Sequence, residues 1–286
     1  MSSCSKKKNL EAFNNIDLQN YQNKINENLN INIIESTNIN DISKNSTDTD
    51  NLPITSTENN TIIDDPNEKF VTLTFYFAYI FLITTGTICF IEALRTSDNN
   101  VRHVMNLETC ISIVAGYFYG VFVKLLHDRQ ESGKPIPYAK INNMRYTDWF
   151  ISTPIMLLVL CMVLGMENNK KVKFTTLMII LLLNFAMLTM GYLGEIGLTS
   201  KVIGLIGGFV WFFAMYGVIW QTFMRNKRTR QSIIIYLLFI VLWSLYGVAY
   251  MSGQVTRVIS YNILDLVAKA FVGIFFWMYF TKVVKI

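Results

Sequence analysis

Charged residues are scarce in this chain of 286 amino acids. They make up 16% of it, while hydrophobic residues make up 52%. A soluble domain of this length would usually carry about 25% charge, so the composition excludes an ordinary soluble globular protein and is typical of membrane proteins. The net charge of +5 is modest. Its basic residues are scattered or clustered between apolar segments, so no nucleic-acid partner is expected.

Cysteine is also scarce, and its positions indicate no metal or disulfide chemistry. The four cysteines are Cys4, Cys89, Cys110 and Cys161. No pair of them has the spacing of metal ligands, and no disulfide framework is visible. We therefore expect no metal site. The N-terminal residues lack a charged segment followed by an apolar one, so no cleavable signal peptide is predicted.

The chain divides into two regions of different composition. Residues 1–66 are rich in Asn, Ser, Thr, Asp and Glu and contain few aromatic residues. Such a composition buries too little apolar surface to fold, so it predicts a disordered N-terminal tail. Residues 67–286 are predicted to form a single membrane domain.

Seven apolar segments follow the tail. They span approximately residues 70–94, 104–126, 144–165, 174–194, 202–224, 232–252 and 258–281. Each is close to the roughly 20 residues that a membrane-spanning helix needs. The predicted fold class is therefore an all-α membrane protein built as a bundle of seven transmembrane helices.

The basic residues of the short loops predict the orientation of this bundle. Eleven of them lie in the loops after spans one, three and five and after span seven, against six on the opposite side. Because cytoplasmic loops carry an excess of Lys and Arg, we expect the C-terminus in the cytoplasm and the N-terminus outside.

Four charged residues within the spans form two helical pairs. Asp265 and Lys269 share a face at a spacing of four, and Arg145 and Asp148 share a face at a spacing of three. Two acids and two bases can neutralise each other inside a bundle. One interpretation is a salt-bridge network that holds helices together. The other is that the Lys269 amine forms a Schiff base with an aldehyde, with Asp148 or Asp265 as counterion.

Four motifs on the predicted spans carry a resemblance to a known family. Span three contains "MRYTDWFISTP" at 144–154, span four ends "GYLGEIG" at 191–197, span six contains "WSLYG" at 243–247 and span seven contains "LDLVAK" at 264–269. With these motifs in this order, the region from about residue 70 to residue 286 resembles the type I microbial rhodopsins, of the proteorhodopsin-like and viral branches. These are bacteriorhodopsin-like seven-helix proteins that bind all-trans retinal.

The resemblance implies roles for individual residues. Lys269 would carry retinal as a Schiff base, Asp148 would be the main counterion and proton acceptor, Asp265 the second carboxylate, and Arg145 an electrostatic support on the extracellular side. The residues implied for the retinal pocket are Tyr146, Trp149, Ser152, Thr153, Met156, Trp243, Tyr246, Gly247, Tyr250 and Ala268. Flat aromatic side chains suit a long apolar ligand.

Some positions depart from the family pattern. Eleven residues beyond the counterion, the family's proton pumps usually carry an acid that returns the proton, but this chain has Val159. Ser152 stands where Thr is usual, and Gly247 stands where Pro is usual. The absent acid removes the usual proton donor on the cytoplasmic side.

Three further polar residues are candidates for an ion or proton path. If Tyr119 matches the family's tyrosine in the extracellular half, Glu108 falls in the cytoplasmic half near the level of Val159. There it would replace the missing donor or line a cation path. The alternative interpretation is a helix-end carboxylate that reaches the membrane interface. Glu195, at the extracellular end of span four, is either a proton-exit group or a surface residue. Asn262 either lines an ion path or hydrogen-bonds a neighbouring helix.

These features predict a light-responsive ion-transport protein rather than an enzyme. We favour a light-gated cation channel, because of Val159 and of the path candidates Glu108 and Asn262, and because the chain resembles rhodopsins of large DNA viruses. The alternatives are an outward proton pump and a non-transporting photosensor. The expected partners are the lipid bilayer and the transported cation or proton, with homo-oligomerisation left open. The expected location is the membrane of a cell or host cell.

Overall fold

The computed structural model describes residues 66–133, 135–226 and 228–282. The predicted tail before residue 66, and Lys134, Lys227 and Lys285 of the charge comparison, lie outside these ranges. The described helices are α1 (Pro66–Arg95), α2 (Asn99–Ser132), α3 (Tyr138–Asn168), α4 (Phe174–Glu195), α5 (Lys201–Ile219), α6 (Arg230–Tyr250), α7 (Gln254–Asp265) and α8 (Val272–Phe280). Two π-helical turns, Trp220–Met224 and Leu266–Phe271, continue α5 and join α7 to α8.

The predicted all-helical fold with seven spans is confirmed for the described part of the chain. Seven helical stretches are long and apolar enough to cross a membrane, the last running over Gln254–Phe280. Helix α2 extends beyond its apolar segment at both ends. Asp98 caps its first turn by accepting hydrogen bonds from the backbone N–H groups of Asn100 and Val101, and Gly133 ends it in the left-handed conformation. Caps of this kind let polar turns stay helical outside the apolar stretch.

The two ends of the bundle are identified by side chains that meet there. We call the end where α1 begins the N-face and the end where α8 ends the C-face. At the N-face, Asn142 near the start of α3 and Arg257 near the start of α7 contact Glu195, the last residue of α4. At the C-face, Glu167 near the end of α3 accepts a hydrogen bond from Tyr279 of α8. Such contacts are expected when successive spans cross the membrane in opposite directions.

The surface and interior of the bundle match a lipid environment. Large apolar side chains such as Leu94, Leu182 and Val248 are about 70% exposed on its outside. The C-face half is filled by an apolar cluster that includes Val159, Met215 and Phe276. A second apolar cluster packs α1 against α2 and the seventh span. Outward apolar surface on this scale is stable only against another apolar medium, here the acyl chains of the bilayer.

The seventh span is widened at its centre. Its π-helical turn Leu266–Phe271 contains Lys269, and the hydroxyl of Thr85 on α1 donates to the carbonyl of Ala270 there at 3.3 Å. A π-helical turn inserts one residue into the helical ladder and often occurs at functional sites. The turn therefore marks the segment that carries the buried lysine.

The connection between α3 and α4 folds tightly back onto Gly165. The backbone N–H of Lys170 donates to the Gly165 carbonyl at 2.8 Å, and Asn169 adopts a left-handed φ of 53°. A Cβ atom at residue 165 would lie 2.7 Å from the carbonyl oxygen of Lys170. Because that oxygen belongs to the backbone, only glycine lets the chain reverse here without moving the loop.

Gly165→Ala is therefore expected to destabilise the fold by about 1–3 kcal/mol through overpacking, without changing the centre of the bundle. The measurement is thermal unfolding followed by circular dichroism in detergent. Gly217→Ala is the matched control, because nothing lies within 4 Å of a Cβ atom at that position. Equal melting temperatures for the two variants would contradict this account of the turn.

Candidate functional site

The centre of the bundle holds a buried lysine between two carboxylates. The Nζ atom of Lys269 lies 2.6 Å from Oδ2 of Asp148 on α3 and 3.5 Å from Oδ1 of Asp265. All three side chains are at most 1% exposed. The structure thus brings together the three residues that the sequence singled out on spans three and seven, with the lysine closer to Asp148.

Asp265 is held by neighbours on several helices. Its Oδ2 accepts hydrogen bonds from Arg145 at 3.0 Å and from the Tyr119 hydroxyl at 2.9 Å. Its Oδ1 accepts from the Tyr246 hydroxyl at 2.8 Å and from the indole N–H of Trp149 at 3.4 Å. Several donors on one carboxylate stabilise its charged form and fix its position.

Asp148 is held much less firmly. Among the described residues its hydrogen bond comes from Lys269, through Oδ2, and its Oδ1 has no partner. The Oγ atom of Ser152, one turn further along α3, is also buried without a partner. Buried polar atoms of this kind are usually satisfied by ordered water. Asp148 is therefore the carboxylate that is free to change its hydrogen bonding.

Arg145 lies one turn from Asp148 toward the N-face and is fully buried. Besides Asp265 it donates to the Asn262 side-chain oxygen, at 2.7 Å. Its guanidinium carbon lies 5.3 to 5.7 Å from the ring centres of Phe75, Tyr119, Phe122 and Tyr261. The ion pair and the aromatic ring faces offset the free-energy cost of removing the guanidinium from water.

Asn262 ties the site to α1. Its amide nitrogen donates to the Thr74 hydroxyl at 2.8 Å, and its oxygen accepts from Arg145 and lies 3.2 Å from the Tyr119 hydroxyl oxygen. Of the two sequence interpretations, this geometry matches the hydrogen bond to neighbouring helices.

An apolar cavity opens beside Lys269 and Asp265. Its aromatic walls are Tyr146, Trp149, Phe209, Phe212, Trp243, Tyr246, Tyr250 and Tyr261. Glycines 191, 204, 208 and 247 also line it. At Gly247 a Cβ atom would lie 2.6 Å from the ring of Phe209, so this glycine makes room for that ring. One polar end with an amine and long apolar walls fit retinal, an apolar aldehyde that can be attached at the lysine.

Eight of the ten predicted pocket residues line this cavity; Ser152 and Ala268 do not. Ser152 lies on the same face of α3 as Asp148, which also does not line the cavity, because a spacing of four returns to one helix face. Ala268 is buried in the apolar cluster of the C-face half.

The sequence analysis missed the walls that α4 and α5 supply. They include Met187, Leu188 and Gly191 of α4 and Gly204, Leu205, Gly208, Phe209 and Phe212 of α5. The spacing of four between Gly204, Gly208 and Phe212 places these residues on one helix face and was the available signal.

Glu195 is paired rather than solvated. Its carboxylate lies 2.6 Å from Arg257, accepts from the Asn142 amide at 2.9 Å and lies 3.9 Å from Lys201. Its side chain is 9% exposed. The interpretation of Glu195 as an ordinary surface residue is therefore wrong.

Glu108 lies in the C-face half and is buried. Its side chain is 2% exposed and stands against Gly273, four residues beyond Lys269, or about 6 Å along the helix. Val159 is eleven residues beyond Asp148, or about 16 Å along α3, and is fully buried in the apolar cluster. The helix-end interpretation of Glu108 is therefore wrong, and its placement near the level of Val159 stays a prediction.

A group of potential metal ligands, His127, Asp128 and Glu131, lies at the exposed end of α2, far in sequence from the site. Exposed acidic groups of this kind are common without an ion, and the group carries no functional assignment.

Comparison with known sequences identifies the family. The sequence model described as bacteriorhodopsin-like protein matches residues 69–283. Opsin-1 of Neurospora crassa is 28% identical over 154 residues, which cover 47% of this chain and 47% of that protein. The match thus spans about half the length of that relative. The opsin-like protein carO of Fusarium fujikuroi is 23% identical over 220 residues, covering 69% of this chain and 70% of that protein.

Solved structures agree with this assignment. The crystal structure of viral rhodopsin OLPVRII is 45% identical, with a TM-score of 0.69, and covers 75% of this chain and 99% of that chain. Xanthorhodopsin, a light-driven ion pump with a dual chromophore, shares the fold at 19% identity, with a TM-score of 0.62 and coverage of 74% and 92%. Because the family model matches residues 69–283, which are most of the chain, the chain belongs to the bacteriorhodopsin-like family of light-driven membrane proteins, whose cofactor is retinal.

Proposed function

We propose that this protein transports protons in response to light, with Lys269 as the attachment site of retinal and Asp148 as the first proton acceptor. The observation that carries the proposal is the 2.6 Å contact between Lys269 Nζ and Asp148 Oδ2. Attached to that nitrogen, retinal supplies the absorption of visible light and a light-induced change of shape. The remaining steps belong to residues of this chain.

The difference between the two carboxylates supports Asp148 as the acceptor. A proton arriving on Asp265 would weaken the charge-assisted hydrogen bond from Arg145, whereas Asp148 gives up a single hydrogen bond within the described residues. The proton therefore moves from the Lys269 nitrogen to Asp148 at the lower cost. Asp265 remains the fixed charge of the site, and the two carboxylates and the lysine titrate as a coupled group.

The N-face side of the site supports an exit path. Arg145 lies on the N-face side of both carboxylates, and Asn142, one turn earlier on α3, donates to Glu195. Buried polar groups from Asp148 to Glu195 thus follow one another toward the N-face. In this proposal the proton leaves past Arg145 toward Glu195, and Glu195 is the proton-exit group.

The direction of transport rests on the loop charges. With the excess of Lys and Arg on the C-face, that face is cytoplasmic and the N-face is outside. Release at the N-face then makes the transport outward. The membrane concerned, that of the cell or of a host cell, stays a prediction.

Glu108 is the proposed donor that returns a proton to the Lys269 nitrogen. Val159 cannot donate one, and the apolar cluster around it separates the site from the C-face. Glu108 is buried against Gly273, which is about one helical turn along the seventh span from Lys269, and its carboxyl makes no hydrogen bond within the described residues. A carboxyl in such surroundings can be held neutral and then give up its proton.

A light-gated cation channel is the second candidate. The polar side chains of Thr74, Thr85, Glu108, Tyr119 and Asn262 all lie where α1 and α2 meet the seventh span. An ion path along this interface would use them, as channels use rings of polar and charged groups. The apolar residues Leu82, Ala115 and Ala270 are buried in the same interface. This favours protons, which need no continuous pore, over larger ions.

Lys269→Ala is expected to abolish the visible absorption band that forms when all-trans retinal is added to the expressed protein. The reason is that no other buried amine faces the cavity among its lining residues. Lys201→Ala, which removes a lysine outside the cavity, is the control and keeps the band. A normal band in the Lys269 variant would overturn the attachment site.

Asp148→Asn is expected to shift the absorption band to the red or to replace it by a near-ultraviolet band at neutral pH. Removing the negative charge next to the Lys269 nitrogen destabilises the positive charge on it. The absorption spectrum measures this, with the exposed Asp128→Asn as control. An unchanged Asp148 variant together with a shifted Asp265→Asn variant would give the counterion role to Asp265.

Glu108→Gln is expected to slow recovery of the dark state by about 100-fold, because general acids contribute about 10²–10⁴ to a rate. Flash photolysis measures the recovery, and azide, a diffusible proton carrier, should restore it. The 71% exposed Glu131 supplies the control, Glu131→Gln.

Photocurrents at varied voltage decide between the two functions. A pump current keeps one direction, whereas a current that reverses near an ion's equilibrium potential would establish the channel.

A further inference from the structure

Gly273 is the point where two other helices reach the backbone of the seventh span. A Cβ atom at this residue would lie 2.8 Å from Cγ2 of Thr85 and 3.1 Å from Oε2 of Glu108, and 3.9 Å from Sγ of Cys89. Distances below 3.0 Å are not tolerated by real side chains, so even one methyl group here would force a neighbour to move. The bare backbone of Gly273 is therefore part of the surface on which Glu108 rests.

Packing, rather than hydrogen bonding, sets the position of the Glu108 carboxyl. No described residue hydrogen-bonds to it, although the side chain is only 2% exposed. Ser112, one turn further along α2, is buried with an unpartnered hydroxyl and does not reach it. Where hydrogen bonds do not fix a buried side chain, the shape of its surroundings does.

Thr85 cannot easily give way to a larger residue at position 273. It is fully buried, its β-branched side chain has restricted rotamers in a helix, and its hydroxyl donates to the Ala270 carbonyl. Glu108 has three rotatable side-chain bonds, so its carboxyl is the neighbour that an added methyl displaces most readily. The tighter 2.8 Å contact with Thr85 is relieved separately, by a shift of the backbone.

We propose that Gly273 is a positioning residue for proton return: its missing side chain leaves the space for the Glu108 carboxyl at a point about one helical turn along the seventh span from Lys269. This inference rests on the proposed donor role of Glu108. In the step concerned, the Glu108 carboxyl loses a proton and the Lys269 nitrogen gains it. The resulting Glu108 carboxylate then takes up a proton from water at the C-face.

The test is Gly273→Ala, compared with wild type, Glu108→Gln and the double variant. Because a displacement of about 1 Å can cost up to about 10²-fold in rate, we expect Gly273→Ala to keep the visible band and to slow recovery by about tenfold. Azide should restore the rate. In the Glu108→Gln background the alanine should add no further delay, because the group that it displaces is no longer a donor.

Two controls separate the effect on Glu108 from general overpacking. Gly217→Ala makes the same substitution where nothing lies within 4 Å and should recover at the wild-type rate. Thr85→Ala combined with Gly273→Ala removes the 2.8 Å contact but keeps the 3.1 Å contact with Glu108, so it remains testable if the single variant does not fold. It should recover more slowly than Thr85→Ala alone.

The outcomes distinguish this inference from the proposed function. Slow recovery in Glu108→Gln together with wild-type recovery in Gly273→Ala would overturn the role of Gly273 alone. A further delay from the alanine in the Glu108→Gln background would also overturn it, because the residue would then act through the backbone of the lysine segment. Wild-type recovery in Glu108→Gln would remove the donor and this inference together.

Discussion

The ion pair between Lys269 and Asp148 is the interaction on which the rest of the site depends. A charged amine at the centre of a bilayer costs at least a few kcal/mol, so the bundle must surround it with compensating groups. Asp148 lies at 2.6 Å and Asp265 at 3.5 Å, and Arg145 balances the second carboxylate. Two positive and two negative side chains thus share one buried volume and leave little net charge in it. Removing any one of them would leave a buried charge without its partner.

The two carboxylates beside Lys269 accept different numbers of hydrogen bonds. Asp265 is fixed by donors from four other side chains besides the lysine, so it acts as a permanent negative charge. Asp148 accepts one hydrogen bond, from Lys269, within the described residues, so its hydrogen bonding can change. Rigid and adaptable groups side by side allow a proton to move without the loss of the structure that holds it.

The two halves of the bundle interior differ in polarity. Toward the N-face, polar groups follow one another from Arg145 through Asn142 to Glu195. Toward the C-face, an apolar cluster around Val159 fills the interface of α3, and the buried acid is instead on α2. Glu108 reaches the seventh span only because Gly273 presents backbone rather than a side chain. In the proposed function, the polar half toward the N-face is the exit of the proton and the tightly packed half toward the C-face is its entrance.

The sequence by itself determined the seven spans, the family and the charged residues at the centre of the bundle. These follow from local properties: the length of apolar segments, the cost of charge in lipid, and helical spacings of three and four. The tertiary structure decided which carboxylate lies closest to Lys269, which faces of α4 and α5 complete the cavity, and where Glu108 lies. It also separated Ser152 and Ala268 from the cavity. Those features depend on how each helix is rotated and how closely it approaches its neighbours, which packing between residues distant in sequence sets.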